Sequence, residues 1–147
     1  MPNNRNAQTY MGLAKGKAPE VDVNGILRNL IFSRRHVSKV AAYTVLAKET
    51  GTYFNTTGAT TAITFTLPAI SEGPWEFKFI NSVDLAMTVA SGTADTMIGF
   101  NDVDLDSIAA STSGEMIGAI INAYCDGTKL WVSSEGSSEV TTFTLAD

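Results

Sequence analysis

Residues 52–68 read TYFNTTGATTAITFTLP. No side chain in this stretch is charged, and threonine and alanine are interleaved with large apolar residues. A strand sends successive side chains to opposite faces. Ile63, Phe65 and Leu67 therefore share one face, and Ala62, Thr64 and Thr66 share the other. β-Branched and aromatic residues suit a half-buried pleated surface, so the stretch predicts strands rather than a helix.

The same period recurs downstream. Trp75, Phe77 and Phe79 alternate with Glu76 and Lys78, and Thr141, Phe143 and Leu145 repeat the pattern less cleanly. Strands are expected at 42–46, 51–55, 62–67, 75–81, 86–90, 96–100, 115–125, 128–133 and 141–145. Turn residues separate them at Thr57-Gly58, Glu72-Gly73-Pro74, Ser91-Gly92, Ser113-Gly114, Asp126-Gly127 and Glu135-Gly136. Asp126-Gly127 is the strongest turn signal and predicts a type I′ hairpin, because Asp-Gly tolerates positive φ. Many short strands punctuated in this way define an all-β domain, either a single β-sandwich with jelly-roll-like character or a small barrel.

Residues 1–39 read differently. MPNNRNAQTYMGLAKGKAPEVDVNG is rich in Asn, Gly, Lys and Ala, with Pro2 and Pro19 as breakers. One apolar cluster follows, from Gly25 to Ser33. Its residues Ile26, Leu27, Leu30 and Ile31 fit a short helical stripe, or a short strand, that needs a partner surface. The basic patch Arg34-Arg35-His36 and Lys39 closes the segment.

The net charge of −5 hides a division. Residues 1–40 carry seven Lys/Arg against Glu20 and Asp22, or +5, whereas residues 41–147 carry three Lys against thirteen Asp/Glu, or −10. A split of this size implies two jobs. We expect an extended basic N-terminal arm, residues 1–39, and a β domain, residues 40–147.

Chemistry-bearing patterns are few. His36 has no paired histidine or cysteine at zinc spacing, and no G-x-S-x-G elbow accompanies it. Cys125, the one cysteine, excludes an internal disulfide. Its neighbour Asp126 would oppose thiolate formation, so a packed or half-exposed thiol is expected. Asp102, Asp104 and Asp106 have the 1, 3, 5 spacing of a calcium loop, but Ser107 stands where that loop needs glycine and Ser113 where it needs glutamate. The trio is a weak cation candidate; a solvated acidic strand or loop is the plainer expectation. In an extended segment the three carboxylates would share one face, with Val103 and Leu105 on the other. No glycine-rich phosphate loop is present, and no cofactor is expected. Trp75 and Trp131 could stack on sugars, but Trp75 lies in an alternating strand and reads as core. Carboxylates dispersed in sequence leave a hydrolase as a distant third reading.

The segments TGTYFNTTGATTAITFTLP (50–68), GPWEFKFIN (73–81), LAMTVA (85–90) and DGTKLWV (126–132) together resemble a recurrent β module of tailed-bacteriophage virion proteins. The resemblance covers about residues 45–135. Among such proteins, a chain of this size is similar to head decoration, or cement, proteins, which are commonly trimeric β domains with a terminal arm on the capsid lattice. The module also occurs in tail fibres and spikes.

The resemblance implies a non-enzymatic virion protein on the capsid exterior, made in a host cytoplasm. Its partners would be the major capsid protein and further copies of itself in a trimer, with neither nucleic acid nor membrane. Acidic overall charge disfavours nucleic acid, and no apolar run approaches the roughly 20 residues of a membrane span. In this reading Ile26, Leu27, Leu30, Ile31 and Phe32 anchor the arm through apolar contacts, and Arg28, Arg34, Arg35 and Lys39 add charge-assisted ones. Uncharged Thr/Ala strand faces would bring copies together, since charge is depleted at interface cores. The alternative is a tail-fibre, carbohydrate-binding or receptor-binding module, which would display an exposed aromatic patch including Trp131 or Tyr124.

Overall fold

The computed structural model describes residues 20–21, 27–28, 34–94, 96–135 and 142–147. The chain divides into two units, Met1–Arg34 and Arg35–Asp147. In the first, β1 (Glu20–Val21) pairs antiparallel with β2 (Leu27–Arg28), placing Glu20 opposite Arg28 and Val21 opposite Leu27. The expected arm anchors Ile26, Leu30, Ile31 and Phe32 lie outside the described residues.

The second unit is all-β and starts with β3 (His36–Ser38), before the expected boundary at Val40. Next come β4 (Tyr43–Thr44), β5 (Tyr53–Asn55), β6 (Ile63–Thr66), β7 (Trp75–Ile80) and β8 (Met87–Ala90). The remaining strands are β9 (Met97–Gly99), β10 (Asp102–Leu105), β11 (Ser107–Ala110), β12 (Ile120–Cys125), β13 (Leu130–Glu135) and β14 (Phe143–Ala146). Two mixed sheets pack together. One has the order β10-β9-β13-β12-β7-β5-β3, and the other β14-β11-β8-β6-β4. Among the described residues, no helix is long and apolar enough to cross a membrane.

From β3 to β8 the chain alternates between the sheets at every strand, and neighbours within each sheet run parallel. The result is three stacked windings, with like positions in register: Val37, Phe54 and Phe79 in the larger sheet, and Tyr43, Phe65 and Val89 in the smaller. The second half closes antiparallel onto this stack, β12 against β7 and β11 against β8. This topology is why the strands read as they do. Each of β6, β7 and β8 buries every second residue and leaves the others towards the outside.

The core lies between the sheets. Phe54 and Phe79 stack at 5.6 Å and 14°, and both meet Phe65 of the opposite sheet, at 5.8 and 4.8 Å. Ile63, Leu67, Met87, Met97, Leu105, Ile108, Ile121 and Leu130 fill the rest of this layer. Trp75 is buried as expected, and so is the Cys125 thiol. The Cys125 Sγ accepts the Gly127 N–H at 3.3 Å and points at the Ile70 carbonyl.

Two local expectations are corrected. In the β12–β13 connection only Gly127 has positive φ, 92°, so the turn is not type I′. Asp126 serves instead as a side-chain acceptor. Its Oδ1 takes hydrogen bonds from the Thr128 N–H, the Thr128 hydroxyl and the Lys129 N–H, which together hold its carboxyl below the usual carboxylate range. The two-residue turn with both φ positive occurs elsewhere, at Phe100 (52°) and Asn101 (67°), where Gly99 pairs with Asp102. The second correction concerns β10. A register shift between Asp102 and Leu105 breaks its alternation, so Leu105 is buried while Val103 is 73% exposed rather than facing inward beside it.

Gly99 lets the β9–β10 hairpin sit close to β13. A Cβ at this position would lie 2.5 Å from the Val132 carbonyl oxygen and 2.9 Å from its Cγ2. We expect Gly99→Ala to destabilise the domain by about 1–3 kcal/mol, through overpacking at a backbone that cannot withdraw. A denaturant midpoint unchanged from that of the parent would contradict this close approach.

Candidate functional site

Four surface features carry the groups that could act. The first is the outermost winding, from Arg35 and β3 to the 3-10 turn Ala47–Glu49. Here the sequence-predicted Arg35 and Lys39 are built into the body. Lys39 Nζ lies 3.1 Å from the centroid of the Tyr43 ring, a cation–π contact. Tyr43 donates its hydroxyl to both Glu49 oxygens, at 3.1 and 3.0 Å, and Arg35 reaches the same carboxylate at 3.9 Å. Burial, followed by the Glu49 hydrogen bond and charge, raises the Tyr43 hydroxyl pKa and keeps it a donor. His36 packs edge-on against Tyr53 at 5.1 Å.

The second feature is acidic and lies at the opposite edge of both sheets. Carboxylate oxygens of Asp102, Asp104 and Asp147 lie within 4.8 Å of one another. The sequence pointed to Asp102, Asp104 and Asp106; the fold instead brings in Asp147, which follows β14, while Asp106 lies at the β10–β11 crossing. Asp102 accepts the Asp104 N–H at 3.2 Å, and that bond leads the causes that lower its pKa. Asp147 is pushed up, first by its hydrogen bond with Asp102 and then by the surrounding carboxylate charge. A calcium ion takes six to eight oxygens, and the three clustered carboxylates are exposed or half-exposed.

The third feature is the outer face of the five-stranded sheet. Thr64, Thr88, Ala109 and Thr144 form one row across it, and Thr44, Thr66, Ala90, Ser107 and Ala146 form the next. All nine are small and uncharged. The opening stretch of the sequence supplies two of them, Thr64 and Thr66.

The fourth is the outer face of the seven-stranded sheet. Tyr124 and Trp131 are register partners and stack at 5.5 Å and 23°, with Tyr124 51% exposed. Lys78 crosses the same face. It pairs with Glu135 at 2.8 Å and lies 5.3 Å from the Tyr53 ring, and Asn122 also donates to Glu135. Of the expected arm residues, Leu27 and Arg28 are placed in β2, and Arg35 and Lys39 belong to the β domain.

No family model matches this chain, and no curated protein matches it.

Proposed function

We propose that this chain is a non-enzymatic virion structural protein of a tailed phage, a decoration protein that binds the capsid lattice from outside. The observation that carries the reading is the nine-residue face of threonine, alanine and serine on the five-stranded sheet. An exposed β face normally carries Lys and Glu. A face without charge suits close approach of protein, because charge is depleted at interface cores. Copies gather about a three-fold axis with these faces turned inward, and the N-terminal segments reach onto neighbouring capsid subunits. The thirty-four residues before the β domain would span at most roughly 120 Å if fully extended, and the β1–β2 pairing shortens that reach. Ordering such a segment costs about 1–2 kcal/mol per residue, so several joined segments are needed for lasting attachment.

The charge division fits this assignment. Residues 1–34 carry five Lys/Arg and two Asp/Glu (5 − 2 = +3), and residues 35–147 carry five and thirteen (5 − 13 = −8). A chain lacking residues 1–34 is expected to keep the β domain folded and to lose capsid binding by at least roughly 100-fold, as three linked attachments fail together. Cosedimentation with capsids measures this, and full binding by the truncated chain would sink the attachment role.

One observation favours a second reading. The stacked Tyr124–Trp131 pair is the aromatic patch that a sugar-binding or receptor-binding tail module would display. Such a module would be present in a few copies per particle rather than hundreds.

A further inference from the structure

A closed three-fold ring needs a heterologous contact, in which one surface of a subunit meets a different surface of the next. The uncharged face alone cannot supply it, because a face meeting its own copy makes a two-fold pair. The two ends of the sandwich can. β3 and β4 are the last strands of their sheets at one end, and β10 and β14 at the other. Each of these four strands pairs on one side only among the described residues.

The ends are chemically opposite. The winding that ends in β3 and β4 carries Arg35, Lys39 and Lys48 against Glu49 alone, three of the five cations in residues 35–147. The far end carries Asp102, Asp104, Asp106 and Asp147, and no cation lies in residues 96–111 or 142–147. Exposed apolar side chains collect at the same two ends. Of seven exposed large hydrophobics among the described residues, Val40 and Leu46 are on the basic winding, and Phe100, Val103 and Leu145 are at the acidic end. Phe100 is exposed on a left-handed backbone, with φ 52°, a conformation that residues with a Cβ rarely adopt.

Strand directions are compatible with joining unlike ends. Following the pairings across the larger sheet, β10 runs opposite to β3; across the smaller sheet, β14 runs the same way as β4. A second copy added in the same orientation would extend one sheet by an antiparallel pair and the other by a parallel pair. Joining like ends is disfavoured at the acidic edge, where facing carboxylates repel, as edge charges do in proteins that avoid sheet-to-sheet aggregation.

From these features we propose that the chain self-associates head to tail, with the acidic β10/β14 edge of one copy docking on the basic β3/β4 edge of the next. The proposal rests on the homo-oligomeric reading above and assigns its contact. Charge sets the direction and register, and Val40, Leu46, Phe100, Val103 and Leu145 supply the apolar area. Three such contacts, turned about an axis, close a ring with the uncharged faces inside.

The test is sedimentation velocity on the full chain and on two charge-reversed variants, Asp102→Lys/Asp104→Lys and Lys39→Glu/Lys48→Glu. Near-UV circular dichroism on each checks that it is folded. The parent is expected to form a discrete oligomer that weakens towards roughly 1 M salt, where the Debye length falls to ~3 Å. Asp102→Lys/Asp104→Lys takes the acidic edge from −4 to neutral, and Lys39→Glu/Lys48→Glu takes the basic edge from +2 to −2; each should lose self-association by at least roughly tenfold, because the opposite charges that met at the contact are gone. Mixing the two variants restores acidic-to-basic edges in trans and should return 1:1 complexes, an outcome that two misfolded proteins cannot give. An oligomeric parent whose variants keep its mass, or whose mixed variants fail to recombine, overturns the edge contact and leaves self-association standing. A parent that stays monomeric at high concentration and low salt overturns both.

Discussion

Replacing Phe54 by alanine is expected to cost about 3–5 kcal/mol of unfolding free energy, the range for emptying a large aromatic site. Phe54 is fully buried on the middle winding. Its ring contacts Tyr43 of β4, Phe65 of β6, and Phe77 and Phe79 of β7. It therefore joins both sheets and all three windings. The cavity cannot close by moving one strand, because its walls belong to β4, β6 and β7, whose backbones are fixed by ladder hydrogen bonds. A domain has only about 5–15 kcal/mol in total, so the variant should lose roughly a fifth or more of its stability. Equilibrium urea unfolding reads the effect directly. A loss under about 1 kcal/mol would mean that the aromatic layer collapses around the gap, and that the sheets are not held as described.

The second large effect is expected at Asn81. Asn81 and Thr56 are among the few buried polar residues, each 1% exposed. The Thr56 hydroxyl donates to Asn81 Oδ1 at 2.7 Å and accepts the Ser82 N–H at 2.8 Å. Asn81 Nδ2 donates to the Leu85 carbonyl at 2.8 Å. The Asn81 backbone meanwhile donates to the Ala119 carbonyl and accepts the Gly118 N–H. The Asn81 side chain thus ties the end of β5 to the connection from β7 to β8, and its backbone ties both to the approach to β12. Asn81→Ala leaves the Thr56 hydroxyl and the Leu85 carbonyl without these partners in a dry setting, each costing about 1–3 kcal/mol. We expect a combined loss of about 2–4 kcal/mol. Asn81→Asp should be similarly damaging, because its carboxylate cannot donate to the Leu85 carbonyl. If the alanine variant unfolds within about 0.5 kcal/mol of the parent, the hub is not structural.

The strands legible in the sequence were those with two-residue alternation. All nine expected strands overlap observed ones, because β6, β7, β8 and β12 each bury one face and leave the other outward. β3, β10 and β11 were not resolved as strands, for different reasons. His36-Val37-Ser38 offers one apolar residue among polar ones and earns its place by parallel pairing with β5. Asp102–Leu105 carries charge that masks its strand character, and its bulge removes the alternation. Ser107–Ala110 has small residues whose burial pattern depends on β8 and β14 beside them. The alternation of the chain between sheets was illegible because strand period reports which face is buried, not which strand is the neighbour.

The site features divide along the same line. Local pattern was enough for the uncharged character of Thr64 and Thr66, for the acidic run at 102–106, for the basic patch and for the Tyr124/Trp131 candidates. Register was needed for the rest. Only pairing places Thr88, Ala109 and Thr144 beside Thr64, brings Asp147 to Asp102, and stacks Tyr124 on Trp131. Long-range partners of this kind leave no spacing in a single chain.

Copy number per particle tests the central claim most directly. On the proposed reading, virions that carry this chain would be purified on a density gradient, and the chain quantified against the major capsid protein, in whole particles and in heads without tails. A decoration role predicts a ratio of order one to the capsid protein, undiminished in tailless heads. A handful of copies, found only with tails, would contradict it and transfer the function to the Tyr124–Trp131 face.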